Sequence, residues 1–418
     1  MHKKAYLLLP IAVLSFFAAC ASIPGSRVPD NVHPVVARKE ISEDMLLNCS
    51  IKVFDPGKLT DDSKKNKGLS PEIRKAESYF MPIHLKYALQ KSGYWGMVRV
   101  IPDDDTGTDL LVRGKIEYSD GETTSITIEA IDARNVTWFK KTYRKTVTPE
   151  AYNNTEPEKK DAFQDIYNTI ANDLANYRNQ LDPEEIKKIR EVARIRYAAE
   201  MASDAFKNYL LKDSDGIYRL VHLPAKDDPM FKRVTAIKAR DYMMADIING
   251  YYDNFYRNLW QPYNEWRKAR SKELYAMHKV ERQAITREAL GIASIIGAIV
   301  LSITGSQDVV ARTSTLRNIM IIGGAAAVYS GYQKKKETEL NKAAIEELGM
   351  SFSSEAKPLV MEVKGQTVRL TGSAEQQYRH WRQILKQIYA KETGIPAQTS
   401  SSKTMLNPFS IDNQPAQR

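Results

Sequence analysis

Short segments that alternate between apolar and polar residues are the feature that most constrains how this chain can fold. Residues 49–54 alternate in this way and end at the turn residues 55–57. Three longer alternating segments follow at 109–118, 123–130 and 136–146. Because alternation with a period of two is typical of half-buried β-strands, these segments predict strands. The short polar connections between the last three predict hairpin turns.

Two helices are predicted among these strands. Ser70 followed by proline is typical of a helix N-terminus, and the helix that it begins is predicted to end at Gly93. A short strand is predicted at 98–101. Residues 158–181 carry apolar side chains at helical spacing and predict a second helix. The sequence therefore predicts an α/β domain over residues 41–181, a mixed sheet covered by two helices.

A family resemblance runs from Cys49 to Leu181. The residues that carry it are Leu89, Ser92, Gly93, Val98, Val100, Pro102, the block 109–116, Ser119, Asp120, Gly121, Ile126, Ile128, Ala130, Asp132 and Trp138. Their arrangement resembles the small α/β domain of several envelope lipoproteins: penicillin-binding-protein activators, curli-secretion lipoproteins and auxiliary lipoproteins of lipid transporters. The resemblance implies a domain that binds partner proteins and lacks catalytic residues.

Residues 1–19 have the composition of an export signal. Lys3 and Lys4 form a basic start, residues 5–17 form an apolar run, and two alanines follow. The apolar run is too short to cross a bilayer comfortably, and a short run with these flanks is typical of a cleavable signal peptide. The sequence predicts that residues 1–19 are removed from the mature protein.

Residues 17–20, with the sequence Phe-Ala-Ala-Cys, resemble the lipobox of bacterial lipoproteins. The resemblance implies that Cys20 is acylated and anchors the chain, because several acyl chains together give stable membrane binding. Ala21 stands where an aspartate would imply inner-membrane retention, which favours the outer membrane and a chain that faces the periplasm. The alternative is an ordinary signal peptide with an incidental cysteine.

Composition and charge narrow the classes of partner. A hydrophobic content of 43% and a charged content of 27% are typical of a globular protein. Behind an export signal, the net charge of +10 favours an anionic envelope polymer or lipid as a partner, and not nucleic acid. A generally basic, solvated surface is the alternative. Cys49 has no partner if Cys20 is acylated, and we expect it to be a buried small residue.

The segments on either side of the α/β domain are predicted to be a tether and a region of long helices. Residues 20–40 contain several prolines and no periodic apolar pattern, which predicts a tether. Residues 182–288 carry helix start signals at Pro183 and Pro229, and the first of these helices is predicted to continue toward Lys212. Long helices joined by short breaks indicate a bundle or a helical arm.

The most aromatic stretch of the chain lies in the long-helix region. One interpretation is a core helix that is buried on two sides. The other is an interaction surface, which either stacks on sugar rings or forms a partner interface rich in tyrosine and tryptophan. The residues concerned are Tyr251, Tyr252, Phe255, Tyr256, Trp260, Tyr263 and Trp266.

Two apolar segments, 289–303 and 319–329, predict a helical hairpin within residues 289–346. A helix of fifteen residues extends about 22 Å, whereas the hydrocarbon core of a bilayer is about 30 Å thick. We therefore expect a tightly packed hairpin, buried or assembled with further copies of the chain, more than a membrane-spanning one. The small residues predicted to pack it are spaced four apart, in the first segment and around the second. They are Ala289, Ala293, Gly297, Gly323, Ala327 and Gly331.

The C-terminal part predicts a small ββα element and a tail. Within residues 347–393, two strands flank a turn at 364–366, and Ser373 and Gln376 have the spacing of a capping box that begins a helix. Residues 394–418 are rich in polar residues and proline and are predicted to be disordered.

No motif indicates a catalytic site, a metal or a cofactor. The six histidines are scattered without zinc-ligand spacing, and neither a P-loop nor a nucleophile elbow is present. Asp103, Asp104, Asp105 and Asp109 form the densest acidic group of the first domain. They lack the glycine and glutamate spacing of a calcium loop and predict a polar turn. The sequence thus favours a binding role over an enzyme.

These patterns predict an α+β protein with an N-terminal mixed-sheet α/β domain, a central long-helix region with an apolar helical hairpin, and a C-terminal ββα element. The predicted function is a periplasmic lipoprotein, anchored in the outer membrane, that acts as a non-catalytic accessory or scaffold of an envelope complex. That complex would serve secretion, surface-polymer synthesis or cell-wall synthesis. One alternative is an enzyme that acts on peptidoglycan or another envelope glycan. The other is an oligomeric, membrane-perturbing or channel component built from the 289–332 hairpin.

Overall fold

The computed structural model describes residues 26–59, 69–301, 338–353, 359–363 and 366–394. The predicted signal peptide, Cys20, the second apolar segment with Gly323, Ala327 and Gly331, and the C-terminal tail lie outside the described residues. The first apolar segment is described as helical backbone only, so the packing predicted for its small residues stays a prediction. None of the helices in the described ranges combines the length and hydropathy needed to cross a membrane.

A six-stranded mixed sheet forms the centre of the fold. Its strands are β1 (Ser26–Arg27), β2 (Leu47–Lys52), β3 (Trp95–Ile101), β4 (Leu110–Ser119), β5 (Thr123–Asp132) and β6 (Thr137–Thr146). Their spatial order is β1-β6-β5-β4-β2-β3. Strand β2 is parallel to both β3 and β4, β4 to β6 form an antiparallel meander, and β1 is parallel to β6. The predicted α+β class and mixed sheet are confirmed.

Two helices pack against this sheet, as the sequence predicts. Helix α1 (Pro71–Ser92) contacts β3, and helix α2 (Gln164–Gln180) contacts β6. The Ser70 hydroxyl caps α1 by accepting a hydrogen bond from the Ile73 N–H at 3.1 Å. Gly93 ends α1 in the left-handed region, with φ of +70°. These local signals explain why both predicted ends of α1 are correct.

Helix α2 begins later than predicted. Glu158, the predicted first residue, has a φ of +64°, which is incompatible with a right-handed helix. Its N–H donates to the Tyr256 hydroxyl at 3.1 Å, and Glu156 pairs with Lys160 in a β-bridge. These contacts hold the chain in an irregular conformation until Gln164.

The predicted tether is wrong for residues 26–37, because this segment is docked on the folded body. Val28 is 3% exposed, and its N–H donates to the Arg144 carbonyl at 2.8 Å. The N–H groups of Val32 and Val35 donate to side chains of α2 at 2.8 and 2.7 Å. Backbone hydrogen bonds need no periodic apolar residues, so the pattern gave no sign of this docking.

The long-helix region contains a hairpin between its main helices. Helix α3 (Pro183–Met201) is capped by Asp182, and the short helix α4 (Ser203–Phe206) follows. The prediction that α3 continues toward Lys212 is wrong, because β7 (Leu210–Lys212) pairs with β8 (Tyr218–Leu220). Helix α5 (Pro229–Leu301) comprises 73 residues and continues through Pro262.

The C-terminal part has the predicted ββα order. Helix α6 covers residues 338–353, and β9 (Leu359–Val363) pairs antiparallel with β10 (Gln366–Leu370). Helix α7 (Ala374–Thr393) begins with the predicted capping box of Ser373 and Gln376 and ends at Gly394. The element is confirmed because its turn and cap depend on residues that are close in sequence.

One hydrophobic core extends from Val28 to Tyr389 among the described residues. Helix α1 is buried on nearly all sides, because it lies between the sheet and α5. The boundary predicted near residue 181 therefore does not separate two cores: the α/β domain is completed by a helix of the next region. Helix α7 in turn packs on α3 and α5.

Candidate functional site

The aromatic stretch forms the contact between α5 and α1. Phe80 of α1 stacks on Tyr256 and Trp260, with ring centroids 4.6 and 5.9 Å apart. The rings thus agree with a core helix buried on two sides, and the interpretation as an accessible interaction surface is corrected. Tyr251 is partly buried, and the remaining members are buried: Tyr252, Phe255, Tyr256, Trp260, Tyr263 and Trp266.

His84 is the buried histidine of this interface, and its two ring nitrogens are both occupied. Nδ1 lies 2.8 Å from the Tyr256 hydroxyl, and Nε2 lies 2.8 Å from the Gln164 side-chain oxygen. Because that oxygen only accepts, the arrangement fits a neutral ring that donates from Nε2 and accepts at Nδ1. Burial lowers the pKa of His84. The residue is therefore suited to a structural role and not to acid–base catalysis.

Polar residues of α5 cover the free edge of the sheet. The Asn249 side-chain oxygen accepts a hydrogen bond from the Val100 N–H of β3 at 3.0 Å. Asp246 binds Arg99 of the same strand at 2.6 and 3.1 Å. Since β3 is the last strand of the sheet, these contacts close an edge that would otherwise be open to strand pairing.

A buried ion pair joins α5 to the segment that precedes α2. The Arg267 guanidinium binds both oxygens of Asp161 at 3.1 and 2.5 Å, and the two side chains are 2% and 0% exposed. Burial opposes the charge on Asp161, but Arg267 overcomes it and holds the pKa of this carboxyl below its ordinary value. The pair fixes the position of α5 against the body.

A second charged cluster centres on Arg382 of α7. Its guanidinium lies 2.9 Å from Asp241 of α5, 2.7 Å from Glu200 of α3 and 3.3 Å from Asp105 of the β3–β4 loop. Lys386 adds a contact of 3.3 Å to Glu200. This cluster joins the C-terminal helix to three other elements.

Three aspartates of the acidic group predicted to form a polar turn, Asp103, Asp104 and Asp105, form ion pairs. Asp103 and Asp104 lie 3.0 and 3.2 Å from Lys52, and Asp104 also binds Arg113 at 2.8 Å. Asp109 is buried and accepts a hydrogen bond from the Asn48 N–H at 2.8 Å. The described residues contain no group of side chains suited to a metal ion.

Cys49 is buried in β2 without a disulfide partner. Burial raises the pKa of its thiol far above the ordinary value, with a smaller contribution from the nearby Asp109. A thiol that stays protonated is a poor nucleophile. Its burial is as predicted.

A cleft of about 540 Å³ lies at the carboxyl ends of β2 and β3. Its floor is formed by residues 52–55, directly after β2, and its walls come from α1, β4 and α7. In open α/β sheets, ligands bind outside the carboxyl ends of parallel strands, where successive connections leave in different directions. Here α1 links β2 to β3, whereas the loop 102–109 crosses to β4 on the other side of β2. The volume is that of a small-molecule site.

Four cationic side chains from different elements line the cleft. Lys52, Lys75, Arg113 and Arg379 contribute from β2, α1, β4 and α7 respectively. Sequence reasoning missed this site because its cations lie on four elements that are far apart in the chain. Each of them alone has the pattern of an ordinary surface residue, so no local signal marks them.

Two carboxylates, Asp55 and Glu375, also line the cleft. Asp55 accepts a hydrogen bond from the Gly57 N–H at 2.8 Å. Glu375 interacts with the Tyr79 hydroxyl, whose pKa is raised by burial and further by this carboxylate. The lining therefore holds four cationic side chains against two carboxylates.

Comparisons with known proteins give no relative for this chain. No protein-family model matches it, and neither a curated protein nor a solved structure is significantly similar.

Proposed function

We propose that this chain is a lipid-anchored protein of the outer membrane that faces the periplasm and acts as a non-catalytic scaffold of an envelope complex. The main support is the course of α5. Leu274, which is 6% exposed, is the last buried side chain described on this helix. Residues 275–278 are all exposed, and His278 lies 2.9 Å from Glu122 of the body. The backbone of α5 then continues as helix to Leu301, through the first apolar segment. Residues 279–301 add about 35 Å at 1.5 Å per residue.

An apolar segment on such a helix needs a partner wherever the rest of the chain does not cover it, because exposed apolar patches favour association. The buried ion pairs and the sealed edge of β3 give the helix a rigid base. Rigid placement of a binding segment suits a scaffold more than a catalyst. The occupied nitrogens of His84 and the protonated thiol of Cys49 also speak for a binding role.

Docking of residues 26–37 supports a short connection between the body and the proposed anchor. If Cys20 is acylated, the connection from Cys20 to Ser26 extends at most about 20 Å at roughly 3.5 Å per residue. The predicted long tether is thereby replaced by a short one. A body held this near the membrane presents α5 to partners in or beside the membrane.

Site-specific photo-crosslinking in native cells tests the scaffold proposal. A photo-reactive residue in place of Met277, which is 57% exposed next to the His278–Glu122 contact of 2.9 Å between α5 and the body, should give a crosslinked complex of defined mass. Met243 is the matched control, because it is the same residue type, 55% exposed, on the part of α5 that packs on the body. Recovery of only uncrosslinked monomer from Met277 would refute the proposal.

Acylation of Cys20 is tested by metabolic labelling. We expect labelled palmitate to enter the wild-type chain and to be lost completely in Cys20→Ala. Cys49→Ala is the matched control: its thiol is buried, so the substitution should leave the label unchanged. Label that persists in Cys20→Ala would contradict the anchor.

A further inference from the structure

We propose that the cleft at the carboxyl ends of β2 and β3 binds a phosphate-bearing ligand. The inference goes beyond the proposed scaffold and does not depend on it, since it requires neither acylation of Cys20 nor the extension of α5. It rests on the place of the cleft in the sheet and on the cations that line it.

Lys75 and Arg379 are the cations with the most freedom to bind a ligand. Neither pairs with a carboxylate among the described side chains. The Lys75 ammonium lies 4.8 Å from the ring centre of Tyr79, which holds it at the wall of the cleft. Arg379 uses one N–H to donate to the Glu375 carbonyl at 3.3 Å, and a guanidinium has five N–H groups.

Lys52, at the floor of the cleft, and Arg113 of β4 add a second pair of cations. Both contact Asp104, at 3.2 and 2.8 Å, and their side chains are still 32% and 40% exposed. Lys52 also pairs with Asp103 at 3.0 Å and Arg113 with Glu129 at 3.5 Å. These ion pairs hold both side chains in place and neutralise part of their charge, so Lys75 and Arg379 supply most of the charge that is available to a ligand. Side chains that are already held in place lose less conformational entropy when a ligand binds.

The chemistry of these groups favours phosphate over other anions. The planar fork of an arginine matches two oxygens of one phosphate, and lysine ammonium groups neutralise the remaining charge. A cleft of about 540 Å³ is much larger than a simple inorganic anion and accommodates a phosphorylated small molecule or a lipid headgroup. These two sources share the phosphate group and differ in what surrounds it.

Calorimetric titration of the full-length chain in neutral detergent tests the site. Inorganic pyrophosphate is the first probe, and dibutyryl phosphatidic acid is the second. We expect saturable binding of pyrophosphate, with Lys75→Met and Arg379→Met each weakening it about tenfold, because each removes a charged contact to the anion. Tenfold tighter binding of the lipid analogue would assign the site to a headgroup, and equal or weaker binding to a soluble phosphate compound.

Two control variants keep the test specific. Lys232→Met removes a lysine that is 63% exposed near the start of α5, pairs with Asp227 and does not line the cleft, so it should leave binding unchanged. Lys75→Arg keeps the charge and should retain affinity within about threefold. The inference is overturned if pyrophosphate does not bind saturably, or if Lys232→Met weakens binding as much as Lys75→Met and Arg379→Met do.

Discussion

Arg267→Met is expected to lower the free energy of unfolding by about 3–5 kcal/mol, because it leaves the Asp161 carboxylate charged and unpaired in the core. Asp161 is fully buried, and its nearest cationic group is the Arg267 guanidinium, bound through both oxygens. Urea unfolding of the full-length chain at pH 7 measures the change. Because Arg267 holds the pKa of Asp161 below its ordinary value, this contribution is complete above about pH 4 and is lost at lower pH.

The control for this substitution is an exposed ion pair that α5 forms with the segment preceding α2. Arg257 and Glu158 lie 2.9 Å apart, with side chains 56% and 39% exposed. Arg257→Met should therefore cost less than about 1 kcal/mol. Combining Arg267→Met with Asp161→Leu should recover part of the loss, since both buried charges are then absent. A loss below 1 kcal/mol for Arg267→Met alone would show that Asp161 is not held in a closed core.

Those features of the fold that depend on neighbouring residues could be predicted from the sequence. The Ser70 cap, the left-handed Gly93 and the capping box of Ser373 each combine a side chain with a backbone group a few residues away. Alternation along β4 to β6 reflects a sheet with one buried face and one charged face, as in the cross-strand contacts of Glu129. Interactions between residues that are close in the sequence are sufficient to predict each of these features.

The contacts that assemble the elements could not be predicted. Arg267 and Asp161 are 106 residues apart, and Arg382 and Asp105 are 277 apart, so no sequence window contains both partners. The docking of residues 26–37 and the grouping of the four cations of the cleft could not be predicted for the same reason, because the contacting residues are far apart in the chain. An aromatic helix has the same pattern whether its second face meets solvent or α1, which is why the aromatic stretch stayed ambiguous.

The second large effect is expected at the C-terminal helix, from Arg382→Met. The substitution leaves Asp241 and Glu200 without their main cation, and Asp241 is 4% exposed at the side chain. We expect a loss of about 3–5 kcal/mol at pH 8 and a smaller loss at pH 5, where Asp241 accepts a proton. Amide hydrogen exchange should show faster exchange along α7. Unchanged protection of α7 would mean that its apolar face alone holds it in place.

The pH dependence of this cluster has opposite signs at its two main carboxyls. Burial raises the pKa of Asp241 to about 6, so the folded chain binds this proton more tightly than the unfolded chain does. Stability from Asp241 is therefore greatest below about pH 4 and falls, by at most about 1.4 kcal/mol per pH unit, as the pH rises to 6. Asp241→Asn should remove this slope, measured by urea unfolding between pH 4 and 8.

Glu200 provides the internal control for that slope. Burial opposes its charge, but Arg382 and the Thr106 hydroxyl hold the pKa of Glu200 below its ordinary 4.5. Its contribution is present above about pH 4.5 and is lost as the pH falls through the folded pKa. Glu200→Gln should therefore reduce the loss of stability in acid, whereas Asp241→Asn acts between pH 4 and 6. A wild-type slope that survives Asp241→Asn would place the titrating group elsewhere.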